Sequence, residues 1–193
     1  MKKIYCLIVA IFILMLSGCG STESSEKLQD KNIFAFTPAQ RAESKKLENI
    51  FAQDCVSFHY PDDWHKMPKK YEGVDLELRK TNEKINLIIS VQKSDNDISN
   101  VTDVQEFYAT LLKMQGFLKS QFVKLGKANW YDGQGMYVES KAEYQGIQVY
   151  FAQYIYDDGK NLVVFTFNAT PEDWKNNEVV ARKMLASLEI DNK

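Results

Sequence analysis

"YQGIQVYFAQYIYDDGKNLVVFTFNATPEDWKNNEVVARKMLASLEI", residues 144–190, decides the fold class. Its first half alternates with period two, with Val149, Phe151 and Ile155 on one side of a strand and Tyr150, Tyr154 and Tyr156 on the other. Asp158-Gly159 then reads as a hairpin turn, because glycine accepts positive φ without strain. A second strand, "NLVVFTFNA", follows it. At Thr170 the period changes to that of a helix: Thr170 caps, Pro171 takes the first turn, and Asp173 sits three residues after the cap. Trp174, Ala181, Met184, Leu185 and Leu188 share one side of that helix.

Upstream the same alternation recurs. "FVKLGKANW" leads through "YDGQG" to "MYVESKAEY", where Met136, Val138, Ser140 and Ala142 share a face. Before it, Thr102 and Gln105 form a capping box for a helix whose Val104, Phe107, Leu111, Met114 and Leu118 recur at spacings of three and four. Three earlier strands are read from "VSFHYP", "GVDLELRK" and "INLIISVQ". The order of strands, helix, strands, helix specifies an α+β fold, a central antiparallel sheet flanked by helices, rather than a βαβ nucleotide fold.

The N-terminus is of another kind. Lys2 and Lys3 precede "IYCLIVAIFILML", an apolar run too short to cross a bilayer comfortably as a helix of about 20 residues. Residues 1–18 therefore read as a signal peptide. "LSGC", Leu16 to Cys19, resembles the lipobox of bacterial lipoproteins. That likeness implies that Cys19 becomes the first mature residue and carries a diacylglycerol, which tethers the chain to the lipid bilayer. A plain signal peptide or an uncleaved anchor is the alternative. Residues 19–36 read as a lipidated cysteine with a flexible polar spacer. Residues 37–54 read as an N-terminal helical extension, with Thr37, Pro38 and Gln40 starting a helix over 38–51, and residues 55–190 as the main domain. The expected location is a bacterial cell or outer membrane, with the domain on the extracytoplasmic side. Gly20 favours the outer one where two exist.

Loss of the signal removes Cys6, and lipid occupies Cys19, so Cys55 is the one thiol of the mature chain. It cannot form an intramolecular bridge, and its place in a strand-like run reads as a buried small hydrophobe. The formal net charge of -2 grows more negative by two as Lys2 and Lys3 leave. No cationic footprint for nucleic acid is visible.

The opening "VSFHYPDDW", the strand after it, the helix before "KLGKANWYDGQGMYVE", and the tail "NLVVFTFNATPEDWKNNEVVARKMLASLEI" together resemble the PsbP-like superfamily. It includes PsbP of photosystem II, DcrB-like envelope proteins and a nuclear-import factor that binds the GTPase Ran. The resemblance implies an αβα sandwich and an accessory protein that works through a protein partner, with no catalytic residues and no cofactor carried over.

Residue chemistry points the same way. His59 and His65 flank the turn "YPDDW", and with Asp62 and Asp63 they reach a metal-ligand count only if the turn folds all four inward; surface positions explain them more simply. No G-x-S-x-G elbow, triad spacing or GK[ST] loop occurs. The expectation is a non-catalytic, membrane-anchored binding module of the envelope. The alternative is a small-molecule or ion receptor, enzymatic or not, with a cleft between helix and sheet. The tyrosine face of residues 146–157 reads either as core with its rim or as an exposed platform. On the second reading Tyr150, Tyr154 and Tyr156 are the partner-binding surface.

Overall fold

The computed structural model describes residues 32–53, 55–68, 74–93, 109, 112, 117–130, 133–157 and 160–191. Among these the order is β1 (Asn32–Phe34), α1 (Pro38–Ser44), β2 (Asn49–Gln53), β3 (Val56–Tyr60), β4 (Trp64–Lys66), β5 (Leu76–Lys80), β6 (Ile85–Lys93), β7 (Leu118–Trp130), β8 (Gly133–Tyr144), β9 (Ile147–Asp157), β10 (Asn161–Ala169), α2 (Pro171–Ala186) and β11 (Glu189–Ile190). The signal peptide, Cys19, the Asp158-Gly159 turn and all of the 102–118 helix except Ala109, Leu112, Phe117 and Leu118 lie outside the described residues.

Eight strands form one sheet in the order β1-β7-β8-β9-β10-β6-β5-β4, and β11-β3-β2 form a second, smaller one. Every pairing is antiparallel except the short β1–β7 contact. The α+β class expected from the element order is the class observed.

Alternation divides the large sheet into two faces. Tyr137, Tyr150, Tyr154, Val163, Phe165 and Phe167 join one apolar cluster with Trp174, Ala181, Met184 and Leu185 of α2. The small sheet closes the same side, with Phe51 against Phe58 at 5.5 Å and Phe58 edge-on to Phe165 at 5.5 Å. The opposite face gathers Leu125, Met136, Val138, Phe151, Ile155 and Leu162 around Leu112, which is helical.

Helix α2 starts where its capping residues place it: Thr170 Oγ1 accepts the Asp173 N–H at 3.1 Å and donates to the Asp173 carboxylate at 2.7 Å. It ends in Ser187, whose hydroxyl donates to the Met184 carbonyl at 2.7 Å and accepts the His59 N–H at 2.8 Å, tying the helix to β3.

Four local expectations are corrected. Helix α1 stops at Ser44 rather than running to residue 51, because Asn49–Gln53 pair with β3 and bury Phe51 beneath that pairing. The helix had only a thin apolar stripe, and a strand partner outweighs so weak a local preference. Asn32–Phe34, read as spacer, add a parallel strand beside Lys127 and Ala128. Leu118 opens β7 instead of closing a helix. Cys55 is half-buried against the main cluster and precedes β3, where full burial was expected.

The outer edge of β7 meets β1 only near Lys127 and Ala128. Elsewhere β7 itself is bent by two register breaks in its pairing with β8, with Lys119 at φ 52° beside one of them. Bulges and lysines of this kind discourage edge-to-edge pairing.

Candidate functional site

The three tyrosines expected at a contact surface lie inside. Tyr150, Tyr154 and Tyr156 are 5%, 0% and 5% exposed and belong to the cluster beneath α2 and the small sheet. This corrects the contact expectation: helix and small sheet together cover the whole tyrosine face, so the strand is large on both sides because both sides are core.

What the tyrosines do there is organise a carboxylate. The β8–β9 register puts Glu139 opposite Ala152, two residues along β8 from Tyr137 and diagonal to Tyr150. Glu139 is 1% exposed. Its Oε1 accepts Tyr137 Oη at 2.7 Å and Lys124 Nζ at 3.0 Å, and its Oε2 accepts Tyr150 Oη. Arg182 of α2 brings Nη2 to 3.7 Å of Oε1, pairs with Glu178 at 2.9 Å, and lays its guanidinium 6.0 Å from the Tyr137 ring centre. A buried carboxylate needs this many partners, since one left alone is strongly destabilising.

Burial pushes the Tyr137 hydroxyl far above its usual range, and the adjacent Glu139 charge adds to the effect. Tyr150 moves the same way, by burial first and then by its hydrogen bond to Glu139. Both are therefore neutral donors, unsuited to act as bases near neutral pH. Every strong polar group in the cluster points at another member, and Arg182 fastens α2 to β8.

Alternation alone held the signal for this cluster. "MYVES" puts Glu139 in phase with Tyr137, on the side opposite Met136 and Val138. A carboxylate on a face otherwise destined for the core needs partners, and Tyr137 on the same strand and Tyr150 on the neighbouring one were placed to supply them.

The histidines are not brought together as a site. His59 is on β3 of the small sheet and His65 on β4 of the large one. His59 Nδ1 donates to the Leu47 carbonyl at 3.1 Å, while His65 is exposed. Among the described residues no group of three or more His, Cys, Asp or Glu side chains is placed to hold a metal ion. An open groove of about 550 Å³ runs along the end of β2, the start of β3 and β11, lined by Gln53, Cys55, Ser57, Glu189 and Asp191 among others. No described helix is long and apolar enough to cross a membrane.

No family model matches the chain, and no curated protein is significantly similar to it in sequence. Solved structures are similar in fold. The solution structure of the cyanobacterial PsbP protein CyanoP from Synechocystis sp. PCC 6803 superposes with a TM-score of 0.61 at 17% identity, over 74% of this chain and 91% of that one. LpqN of Mycobacterium tuberculosis, described as involved in cell envelope biogenesis, gives 0.53 at 16% identity over 70% and 83%. A Mog1 mutant gives 0.52 at 11% identity over 75% and 98%. The chain thus has the PsbP-like αβα sandwich fold, a central antiparallel sheet flanked by helices.

Proposed function

We propose that this is a lipid-anchored accessory protein of the bacterial cell envelope, which acts by binding another protein and catalyses no reaction. Cys19 carries the lipid, and the domain works on the extracytoplasmic side. The observation that carries the non-catalytic reading is the closure of the Glu139 cluster. The most elaborate polar group in the described residues spends its hydrogen-bonding capacity on joining β7, β8, β9 and α2, and offers no activated nucleophile. The fold shared with LpqN, whose description names cell envelope biogenesis, supports an envelope role. "LSGC" supports the anchor, because two acyl chains hold a protein firmly where one is marginal.

The test is Cys19→Ala in cells fed a clickable fatty acid. Wild type is expected to be labelled and to sediment with membranes, and the variant to lose both properties. Equal labelling would sink the anchor. For the contact reading, photo-crosslinkers placed singly at the exposed Ile50, Ile147 and Val179 are expected to give a discrete adduct with one protein from at least one position in wild type. Adduct patterns spread over many abundant proteins from all three positions would count against a specific partner.

A further inference from the structure

The chain enters its domain along one edge of the large sheet. β1 runs parallel to β7, with Asn32 opposite Lys127, so Asn32 is the end of β1 nearer the start of β7. From Cys19 to Asn32 the chain reaches at most about 45 Å when fully extended. The β7 edge is well inside that reach, since Lys119 lies about 26 Å along the strand from Lys127. The opposite edge is not so easily presented. Seven strand spacings put β4 about 34 Å from β1, and a path that long uses most of the tether.

The near edge is also the basic one. β7 holds Lys119, Lys124 and Lys127 and no acidic residue, and Lys141 of β8 stands opposite Gln121. Lys119 pairs with Glu143 at 2.8 Å, while Lys124 and Arg182 share Glu139 and Arg182 also holds Glu178. Four lysines and one arginine thus meet three carboxylates, an excess of positive charge in a chain whose formal net charge is -2. The lysines remain reachable: the Lys119 and Lys124 side chains are 76% and 45% exposed, and Lys141 is exposed as well.

Two apolar side chains stand among them. Phe122 is opposite Ser140 and Lys124 opposite Glu139, so Val123 is the extra residue of a bulge and is turned outward. Gln145 and Gly146, both at positive φ, make the tight turn from β8 to β9 and leave Ile147 exposed at its end. Single exposed apolar residues are ordinary. Here the register sets them beside lysines, at the corner where Leu118 faces Glu143 and Tyr144 faces Ile147. A protein that added a strand to this edge would be opposed by its bulges and lysines. A bilayer surface is not: lysines meet anionic headgroups and isolated aliphatic side chains enter the interface.

We infer that the corner formed by β7 and the β8–β9 turn docks on an anionic bilayer, with Lys119, Lys124 and Lys141 at the headgroups and Val123 and Ile147 in the interface. The inference rests on the lipid anchor proposed above, which brings the domain to the membrane, and adds which side of the domain faces it.

The test supplies the tether chemically, so that it reads the docking face whether or not cells acylate Cys19. The mature chain, residues 19–193, with Cys55→Ser is coupled through the Cys19 thiol to a maleimide lipid. The vesicles are phosphatidylcholine, alone or mixed with phosphatidylglycerol, and carry a nitroxide on a fraction of their headgroups. A fluorescent amino acid is placed singly at position 123, 147, 50 or 179. On the mixed vesicles, quenching at 123 and 147 is expected to exceed that at 50 and 179 several-fold. High salt, pure phosphatidylcholine, or Lys119→Glu combined with Lys141→Glu should abolish the difference, and Lys183→Glu, on the exposed side of α2, should leave it. The milder pair Lys119→Gln and Lys141→Gln should reduce it with an unchanged circular dichroism spectrum, which guards against a misfolded charge-reversed chain. Equal quenching at all four positions, or stronger quenching at 50 or 179, would overturn the inference. So would a preference for 123 and 147 that persists without anionic lipid or in the folded lysine variants. Loss of fatty-acid labelling as the criterion for Cys19 is a separate readout, so the anchor and the docking face fail independently.

Discussion

The Tyr150 ring stacks on the Trp174 indole, with ring centres 5.2 Å apart and planes inclined by 14°, while its hydroxyl donates to buried Glu139. One side chain of β9 thus touches the first turn of α2 with its ring and the carboxylate of β8 with its oxygen. Trp174 also packs 6.1 Å from Phe167, so it sits over two strands at once.

Truncating Trp174 is expected to lower stability severely. Removing a buried aromatic costs ~3–5 kcal/mol, against a typical total of ~5–15 kcal/mol. Trp174→Ala should move the urea midpoint far down, whereas Val179→Ala, at an exposed position on the same helix, should change it by less than about 0.5 kcal/mol. A urea melt of both variants checks the contrast.

Glu139 should show itself through the tyrosines. Burial and the Glu139 carboxylate raise the Tyr137 and Tyr150 ionisations, and burial raises that of Tyr154. The folded state thus favours the protonated phenol, and that stability is complete below the ordinary value of 10.0 and declines as pH rises beyond it. In an absorbance titration at alkaline pH these three should ionise only as the chain unfolds. Glu139→Gln removes the charge and is expected to bring the Tyr150 ionisation down, while Glu139→Leu, which leaves two hydroxyls without their acceptor, should cost about 3 kcal/mol or more in a urea melt.

Local sequence chemistry made α2 readable because its signals agree. Thr170, Pro171 and Asp173 fix its start, and its apolar side from Trp174 to Leu188 is the side that is buried. The β8–β9–β10 strands were equally plain, since alternation survives on strands that are core on both faces. In the small sheet only the central strand β3 was readable; its partners β2 and β11 were not. Phe51 looks like a helix residue until the adjacent β3 pairs with its strand and sets Phe58 against it, with Phe165 of the distant β10 packed on Phe58. The tyrosine face stayed open between core and platform because Tyr150 on a strand looks identical whether solvent or Trp174 lies above it. Glu139 was overlooked because a glutamate in "MYVESKAEY", like Glu143 four residues on, reads as surface until Lys124 and Arg182 arrive from other elements.

Gly135 should tolerate no side chain. A Cβ there would lie 2.6 Å from Tyr154 Oη and 2.8 Å from the Ile155 carbonyl oxygen, both nearer than real Cβ contacts allow. The ring is fully buried and the carbonyl belongs to a paired strand, so neither moves easily. Gly135→Ala is expected to destabilise by about 1–3 kcal/mol through overpacking. Tyr154→Phe removes the nearest atom but leaves the ring carbon Cζ and the Ile155 carbonyl, both 2.8 Å away, so the double variant should recover only part of the loss. A double-mutant cycle in urea measures that coupling.

The last expectation concerns acid. Lys80 Nζ lies 2.7 Å from Glu83, 2.8 Å from Asn177 Oδ1 and 3.5 Å from Asp63, and Asn177 of α2 also donates to Glu83. The Lys80 hydrogen bond holds Glu83 below the ordinary carboxylate value of 4.5 despite partial burial. Burial alone would lower the Lys80 value, but Glu83 and then Asp63 more than offset it and raise it above 10.5. For Glu83, whose folded value is depressed, the stabilisation is present above pH 4.5 and is lost as pH falls through the lower folded value. For Lys80 it is present below pH 10.5 and lost as pH rises further. Glu83→Gln is therefore expected to be less stable than wild type at neutral pH and to converge with it as the solution is acidified through the lowered folded value of Glu83. Urea midpoints of the two chains across the acid range provide the check. A constant gap between them at every pH would mean that Glu83 is held by packing and neutral hydrogen bonds rather than by its charge.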